Sequence, residues 1–310
     1  MAQMNAIVDQ LLSGVSSART AEGTVAEQLL PTIKSAQYSG KLAKYGNNHL
    51  RIENSVKGGR GAYRRVEAIT RSTNSFQIEG HGLESIVTAE DYRNVTVGFK
   101  VEEDEVMGLT SMLLLEKEKL LADTLRNTSV ITQNVTLSGT DQLNDYTNSD
   151  PIDVISTALN AIRAGAGKAP SVAVMDWSVA QVLRSHPKFL GMGFQYLTKG
   201  MLDDAALATV LGVQKVLIAQ ATYLSSKEGQ TDAMTNVWGK DIIFAVAPDN
   251  AQPYQTSLGY LVTLEGESPR KVYKNPVFNP PGSTAILVED NYDMLISNAS
   301  AAYLIKAAIA

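Results

Sequence analysis

The sequence lacks several residues and patterns on which many enzymes and membrane proteins depend. It has no cysteine, and only three histidines and two tryptophans among 310 residues. The absence of cysteine excludes disulfides, thiolate metal sites and cysteine nucleophiles. His49, His81 and His186 lie far apart and show no paired spacing of the HExxH kind, so no metal or other cofactor is predicted. No run approaches the roughly 20 apolar residues of a membrane helix, so no membrane partner is predicted.

Motifs of catalysis and secretion are also missing. The Gly-x-Ser-x-Gly elbow of serine hydrolases does not occur. The run Gly165-Ala166-Gly167-Lys168 differs from a phosphate-binding loop, because Ala169 stands where Ser or Thr is required and the glycines follow a predicted helix. The N-terminus lacks the basic patch and apolar block of a secretory signal. The sequence therefore predicts no catalytic residues, and it predicts synthesis in a cytoplasm.

The charges present are unevenly distributed. Residues 34–71 contain nine basic and two acidic residues, a net charge of +7, so the remainder carries −12 within the overall −5. A positive segment on a negative body predicts two complementary surfaces and self-association head to tail. Glycines at 58, 59 and 61 predict the tip of a two-stranded ribbon in this segment. Because an isolated hairpin is at best marginally stable, the ribbon needs a partner surface.

The clearest predicted helix spans residues 102–127. Its 26 residues would form a rod of roughly 39 Å, which is long for a small domain. Gly108 weakens the helix by about 1 kcal/mol relative to alanine, and either a bend or close packing would account for it. Residues 116–119, Glu-Lys-Glu-Lys, are interpreted as a charged break in the apolar face. Acidic residues lie at the start, where the helix dipole is positive: Glu102, Glu103, Asp104 and Glu105.

The most informative stretch is residues 203–248. Asp203 and Asp204 predict the start of a short helix, and Gly212 predicts its left-handed end. Two continuous apolar runs of strand length follow, at 216–219 and 242–247.

A similar order of elements precedes this stretch. Asp150 and Pro151 predict the start of a helix. Residues 172–175 predict a buried strand, Asp176 caps the next helix, and Pro187 ends that helix.

A short helix ending in Leu-Gly-Val, a buried strand, and a strand introduced by Val237-Trp238-Gly239 resemble the axial domain of tailed-phage major capsid proteins, whose shell fold is called the Hong Kong 97 type. The resemblance covers about residues 30–310 and rests on the order of the elements. It implies an α+β, Hong Kong 97-like capsid fold with an N-terminal arm, an extended β-hairpin loop, a peripheral domain with a long spine helix, and an α/β axial domain.

The implied domains follow the chain. They are the N-terminal arm (1–36), the extended loop (37–74), the peripheral domain (75–149, with spine helix 102–127), the axial domain (150–262), and strands returning to the peripheral domain (263–310). In this family the arm would lie across neighbouring subunits.

The implied function is structural. The chain would self-assemble as pentamers and hexamers into the icosahedral head shell of a bacteriophage, enclosing double-stranded DNA without binding it specifically. It would be made in the bacterial host cytoplasm and reside in the virion. A separate scaffolding protein and a portal are expected partners, and a decoration protein is an open question. The predicted intersubunit contacts pair Lys41, Lys44, Lys57, Arg60, Arg64 and Arg65 of the loop with acidic residues Glu102, Glu103, Asp104 and Glu105.

Three alternatives remain open from the sequence. An encapsulin-like nanocompartment shell shares the fold. A doubly wound α/β enzyme fits the alternation of helices and strands, but the chain offers no convergent acid, base or phosphate loop. A nucleic-acid binder fits the basic ribbon, although Tyr63 is the only aromatic residue in its distal part to stack on bases.

Overall fold

Helices and strands alternate along most of the computed structural model. The structure describes residues 7–19, 23–45, 50, 52, 56, 71–94, 100–191, 201–248, 250, 255–266, 270–277 and 280–310. The helices are α1 (Gln10–Ala18), α2 (Ala26–Leu29), α3 (Ala89–Arg93), α4 (Val101–Leu125), α5 (Pro151–Ala166), α6 (Trp177–Arg184), α7 (Pro187–Leu190) and α8 (Asp204–Leu211). Over these ranges, no helix combines the length and the apolar character that crossing a membrane requires.

The strands form two larger sheets and two hairpins. The strands are β1 (Ile7–Val8), β2 (Thr32–Ser35), β3 (Ser39–Tyr45), β4 (Arg71–Gln77), β5 (Glu79–Val87), β6 (Asn134–Thr136), β7 (Val172–Asp176), β8 (Lys215–Ala219), β9 (Thr222–Leu224), β10 (Met234–Asn236), β11 (Ile242–Ala245), β12 (Gly259–Leu264), β13 (Arg270–Val277), β14 (Ser283–Ile296) and β15 (Ala302–Lys306). The six-stranded sheet has the order β1-β13-β14-β12-β2, and β5 also pairs with β14. The five-stranded sheet has the order β6-β15-β11-β7-β8, and β3–β4 and β9–β10 pair separately.

The long helix α4 connects the two larger sheets. Its N-terminal half, through Val106, Leu109 and Leu113, shares a core with β5, β13 and β14 of the six-stranded sheet. Its C-terminal half, through Leu121 and Leu125, packs in a second core with β7, β11 and β15 of the five-stranded sheet. The predicted helix 102–127 is confirmed within two residues at either end.

Local signals at the helix ends are also confirmed. Asp150 accepts a hydrogen bond from the Asp153 backbone N–H, and Pro151 is the first helical residue of α5. Asp203 accepts from the Ala206 N–H at 2.8 Å and begins α8. Gly212 ends α8 with φ +68°, in the left-handed region that favours glycine. The axial elements predicted from the sequence therefore form where expected.

The basic ribbon is attached to the body at its base, and among the described residues Leu50 also lies against Gly167 at the end of α5. β3 and β4 pair from Ser39–Gln77 to Tyr45–Arg71. The Phe76 ring lies directly over Gly40, where an added Cβ would approach it to 2.9 Å. Phe76 joins a small apolar cluster that includes Val262 of the six-stranded sheet. The predicted glycine tip lies outside the described residues.

The N-terminal helix packs on the body of its own chain. α1 contacts α4 and β13, and the arm expected to lie across neighbouring subunits stays a prediction. The Asp9 N–H donates to the Val272 carbonyl at 2.9 Å, and the Val272 N–H donates to Ser13 Oγ at 3.0 Å. The hydroxyls of Ser16 and Thr110 lie 2.8 Å apart. These polar groups are buried, and they find their partners within the chain, which holds residues 9–18 on the body.

The last strand differs from the prediction. The segment after residue 263 was expected to return entirely to the peripheral domain, and β13 and β14 do lie in the six-stranded sheet with β12. β15 instead pairs with β11 and β6 in the five-stranded sheet. Leu304 and Ile305 point to opposite faces and are both fully buried, as an interior strand with both faces covered requires.

The two explanations of Gly108 can now be separated. A Cβ at Gly108 would meet no described atom within 4 Å, so close packing within the chain is not the reason for glycine there. We expect Gly108→Ala to stabilise the isolated chain by about 0.5–1 kcal/mol, because alanine loses less conformational entropy in a helix. Denaturant unfolding followed by circular dichroism measures this difference.

Gly165 is the matched control for that substitution. It also lies inside a helix, but its Cβ would approach Ser300 Cβ to 3.1 Å and the Ser300 carbonyl oxygen to 3.3 Å. Gly165→Ala should therefore stabilise less than Gly108→Ala, or destabilise. An equal gain at both positions would show that local packing has no influence at either glycine.

Candidate functional site

A serine–histidine pair is the arrangement in the structure that comes nearest to catalytic chemistry. His186 is fully buried, and its Nε2 lies 3.2 Å from Ser149 Oγ. Its Nδ1 accepts the Lys188 backbone N–H at 3.2 Å, so Nε2 of the neutral ring carries the proton. The Ser149 hydroxyl donates to the Asp145 carbonyl at 2.6 Å. Burial lowers the pKa of His186. The ring cannot accept the Ser149 proton in this arrangement, and the contact is a structural one.

Within the described ranges, no group of three or more histidine, aspartate or glutamate side chains is arranged to hold a metal ion. The surfaces that carry the predicted intersubunit residues are therefore the candidate site.

The basic side of the predicted contact is partly described. Lys41 and Lys44 both lie on β3. Their odd and even positions place them on opposite faces of the ribbon. Leu42 shares the face of Lys44 and packs on the cluster at the ribbon base, so Lys41 belongs to the opposite, exposed face. The other four predicted basic residues lie outside the described residues: Lys57, Arg60, Arg64 and Arg65.

On the acidic side, Glu102 is engaged within its own chain. Its carboxylate accepts from Lys274 Nζ at 2.5 Å and from the Tyr92 hydroxyl at 2.7 Å. Partial burial alone would raise the pKa of Glu102, but the bonds from Lys274 and Tyr92 outweigh it and leave this pKa below its usual value. These contacts tie the first turn of α4 to β13 and α3.

The other three acidic residues of this turn differ in their surroundings. Glu103 accepts from Lys100 Nζ at 2.6 Å, an exposed pair three residues apart. Among the residues that the structure describes, no ion pair involves Asp104 or Glu105, and Asp104 is exposed. Asp104 and Glu105 are therefore the two members of the predicted acidic set that are best placed to meet a second chain.

The structure also shows a buried polar joint that the sequence interpretation missed. Glu118 is 0% exposed, and its carboxylate accepts from the Val25 N–H at 2.9 Å and the Ala26 N–H at 2.7 Å. It also accepts from Trp238 Nε1 at 2.5 Å. One side chain of α4 therefore holds the start of α2 and a tryptophan that packs with the five-stranded sheet. Burial raises the pKa of Glu118, and its three donors act against that rise.

The preceding residue holds the other sheet. Lys117 is 3% exposed, and its Nζ donates to Asp290 of β14 at 3.2 Å and to Glu27 of α2 at 3.1 Å. The same ammonium lies 4.4 Å from the centroid of the Tyr292 ring, which adds a cation–π contact. Lys117 and Glu118 thus join α4, α2 and both larger sheets, and we call this cluster the polar joint.

Two arginines extend these contacts. Arg270 of β13 is buried and donates to Glu27 at 3.3 Å and to the backbone carbonyls of Ser16, Ser17 and Arg19. At the far end of α4, Arg126 Nε donates to Asp241 Oδ2 at 2.7 Å. The long helix is therefore fixed by charged bonds at its middle and at its end.

The charged break predicted at residues 116–119 is thus wrong for its two central members. α4 is rotated so that Lys117 and Glu118 face the protein, while the apolar side chain of Met112 is 62% exposed. The burial of these two charges could not be predicted from the sequence, because the hydrogen-bond partners of both are distant in sequence.

The joint makes a direct prediction about stability. Replacing Glu118 by alanine leaves the Val25 and Ala26 N–H groups and the Trp238 indole N–H without an acceptor in a buried place. Each such group costs about 1–3 kcal/mol, so Glu118→Ala should lose about 3 kcal/mol or more of unfolding free energy. Urea unfolding measures this loss.

Glu116→Ala is the control, since it removes the same side chain two positions away on the same helix. Glu116 is half exposed, and its one ion-pair contact in the described structure, with His81 Nδ1, is long at 3.8 Å. Its removal should therefore change the unfolding free energy by no more than about 0.5 kcal/mol. Equal losses for the two variants would contradict the assigned role of Glu118.

Comparison with known proteins bears on what these surfaces serve. The chain is 26% identical over 268 residues to a protein named "Major capsid protein" from Burkholderia phage BcepMu, covering 84% of each chain. It is 25% identical over 242 residues to a protein of the same name from Pseudomonas phage JBD67, covering 76% of each. No protein-family model matches the chain.

Solved structures share the fold along almost the whole chain. A phage-related protein from Bordetella bronchiseptica superimposes with a TM-score of 0.76 at 23% identity, covering 98% of both chains. The capsid structure of cyanophage P-SCSP1u has a TM-score of 0.58 at 10% identity, and a virus-like particle from Pyrococcus furiosus has 0.56 at 14%. The Hong Kong 97-type fold expected from the order of elements is confirmed, and together with the two sequence relatives it shows that this chain is a homologue of phage major capsid proteins.

Proposed function

We propose that this chain is a structural shell protein, copies of which assemble into the icosahedral head of a tailed bacteriophage and enclose its double-stranded DNA. The observation that carries this proposal is the match to two phage major capsid proteins over at least three quarters of both chains. The fold, shared with a phage capsid structure over 93% of this chain, supports it. The role is structural, and the Ser149–His186 geometry fits no hydrolytic role.

The proposed assembly uses the basic ribbon as the reaching element. Among the described residues, the ribbon contacts its own body through the cluster around Phe76 and through Leu50 beside Gly167, while Lys41 lies on its exposed face. In this proposal Lys41, Lys44 and the basic residues of the tip meet the first turn of α4 on the next subunit. Asp104 and Glu105 are the acidic residues in that turn with no described ion pair, and they supply the charge on the other side. Many weak contacts of this kind act together once a shell closes.

The predicted division into arm, extended loop, peripheral domain and axial domain is part of the proposal. Packing supports a core for each larger sheet, with α4 common to both. Pentamers and hexamers, a separate scaffolding protein, a portal and synthesis in the bacterial cytoplasm complete it. A negative body supports a shell interior that encloses DNA without binding it, because like charges repel.

The assembly prediction is tested by negative-stain electron microscopy and light scattering on the purified chain, with and without a scaffold supplied. We expect closed particles, rings or tubes built from pentamers and hexamers. Packaged DNA in particles from infected cells would favour the phage head, whereas a co-purified enzyme would favour a nanocompartment. A compact monomer at every concentration and salt would contradict both.

Charge reversal tests the ribbon contact in the same assay. Changing Lys57, Arg60, Arg64 and Arg65 to glutamate should abolish assembly, and adding Asp104→Lys with Glu105→Lys should restore part of it, since the charges are then exchanged. Lys168→Glu, an exposed change at the end of α5, should assemble normally. Normal assembly of the four-residue reversal would contradict the proposed pairing.

A further inference from the structure

The five-stranded sheet ends in an open edge at β8. The Lys215 N–H bonds to the Ser171 carbonyl at 3.1 Å, so odd-numbered residues of β8 direct their backbone groups toward β7. Val216 and Ile218 therefore direct theirs outward, and no backbone partner among the described residues meets either of them. The next outward group, the Gln220 N–H, is already taken by the Gly23 carbonyl at 3.0 Å. An unpaired edge of this kind is a template for another strand.

A groove of about 380 Å³ runs along this edge. The N-terminal segment closes it at both ends, through the Gly23–Gln220 bond and through Lys215 Nζ, which donates to Gln28 at 3.1 Å. Trp177 lines the groove and is 51% exposed, although it is the largest kind of apolar side chain. The groove thus offers backbone hydrogen bonds together with an apolar surface.

Arg184 adds a polar requirement to the groove. Its guanidinium bonds to Asp204 through Nη2, while its Nε is buried and has no partner in the described structure. With Lys215 at one end, the groove carries two positive charges against the one negative charge of Asp204. An extended strand with apolar side chains and an acidic flank would satisfy these groups.

The chain itself displays such a strand. In the β9–β10 hairpin, Leu224 and Met234 lie directly opposite each other and are 51% and 67% exposed. The Ser225 N–H bonds to the Ala233 carbonyl, so the odd-numbered residues hydrogen-bond across the hairpin. Met234 and the Asn236 N–H are directed outward, whereas the Asn236 carbonyl already accepts from the Gly239 N–H at 3.3 Å. The outward backbone groups of β10 are thus two residues apart, which is also the spacing of the outward groups at Val216 and Ile218 of β8.

The charges of the hairpin also fit. Its connecting loop, residues 225–233, contains one basic residue, Lys227, and two acidic residues, Glu228 and Asp232. The loop therefore carries a net charge of −1 and meets a groove with a net charge of +1. Opposite charges at the two surfaces favour this pairing over one between two copies of the groove.

From these observations we propose that the β9–β10 hairpin of one copy adds to the β8 edge of the next and continues the five-stranded sheet across the subunit boundary. Met234 or Leu224 then packs against Trp177. Because the two surfaces differ, the contact runs head to tail and can repeat around a ring. The inference rests on the proposed shell function and adds a specific contact to it.

Cysteine cross-linking tests the contact, and the absence of natural cysteine makes the test clean. Trp177→Cys and Met234→Cys are combined in one chain, assembled under reducing conditions and then oxidised. We expect a ladder of covalent multimers on a non-reducing denaturing gel. The control pair, Met112→Cys with Met234→Cys, keeps the Met234 position and replaces the Trp177 position by an exposed one outside this contact, and it should remain monomeric.

Amide hydrogen exchange adds a readout that follows the alternation of the strand. In the isolated chain, the Val216 and Ile218 amides should exchange rapidly and the Leu217 amide slowly. In the assembled form, the two outward amides should become protected, by at least about tenfold.

The outcomes separate this inference from the shell function. Particles that form without the Trp177–Met234 ladder and without protection at Ile218 overturn the contact and leave the shell function standing. If the Val216 and Ile218 amides become protected but the Trp177–Met234 cross-links do not form, the β8 edge is covered by something other than the β9–β10 hairpin, and that part of the inference is wrong. A chain that stays monomeric, with neither ladder nor protection, overturns both.

Discussion

The buried pair Lys117–Glu118 is the interaction on which the rest of the subunit depends. Adjacent residues on a helix point about 100° apart, so two neighbouring side chains of α4 reach different bodies. Lys117 binds β14 of the six-stranded sheet, and Glu118 binds the tryptophan packed on the five-stranded sheet. Both also bind α2. Burying two charges is costly unless each finds polar partners. Here Glu118 accepts from three donors, and Lys117 donates to two carboxylates and lies over the Tyr292 ring.

This joint explains how one chain is both rigid and available to other copies. The two sheets are fixed to a single helix, whereas Lys41 of the ribbon and Leu224 and Met234 of the β9–β10 hairpin remain exposed. A subunit of a shell needs both properties, because geometry must be repeated in every copy while the contacts lie between copies. The proposed ribbon and β8-edge contacts use the parts of the chain that the joint leaves outside the core.

Local chemistry made much of the fold predictable from the sequence. Aspartates at 150, 176 and 203 begin helices, and Gly212 ends one, because each acts within a few residues of its own position. The order of these elements was enough to identify the fold class. Long-range pairing was not predictable. The sequence of β15 predicts a buried strand but not the sheet to which it belongs. That depends on its pairing with β11 and β6.

At the candidate site, too, local features were predictable and long-range contacts were not. Charge counting found the basic ribbon and the acidic first turn of α4. It could not show that Glu102 is bound by Lys274 of its own chain, a residue 172 positions away. The face of α4 was misjudged at Lys117 and Glu118 for the same reason, since their partners come from both ends of the sequence. The open edge at β8 became visible only once its register with β7 was known.

Equilibrium unfolding of the Trp177→Phe chain tests the central claim most directly, because Trp238 is then the only tryptophan and lies at the joint. Fluorescence reports on Trp238, and far-ultraviolet circular dichroism reports on the helices and strands of the whole chain. If the joint fastens both sheets to α4, the two signals change at the same denaturant concentration. A fluorescence transition at a clearly lower concentration than the main loss of ellipticity would contradict the account.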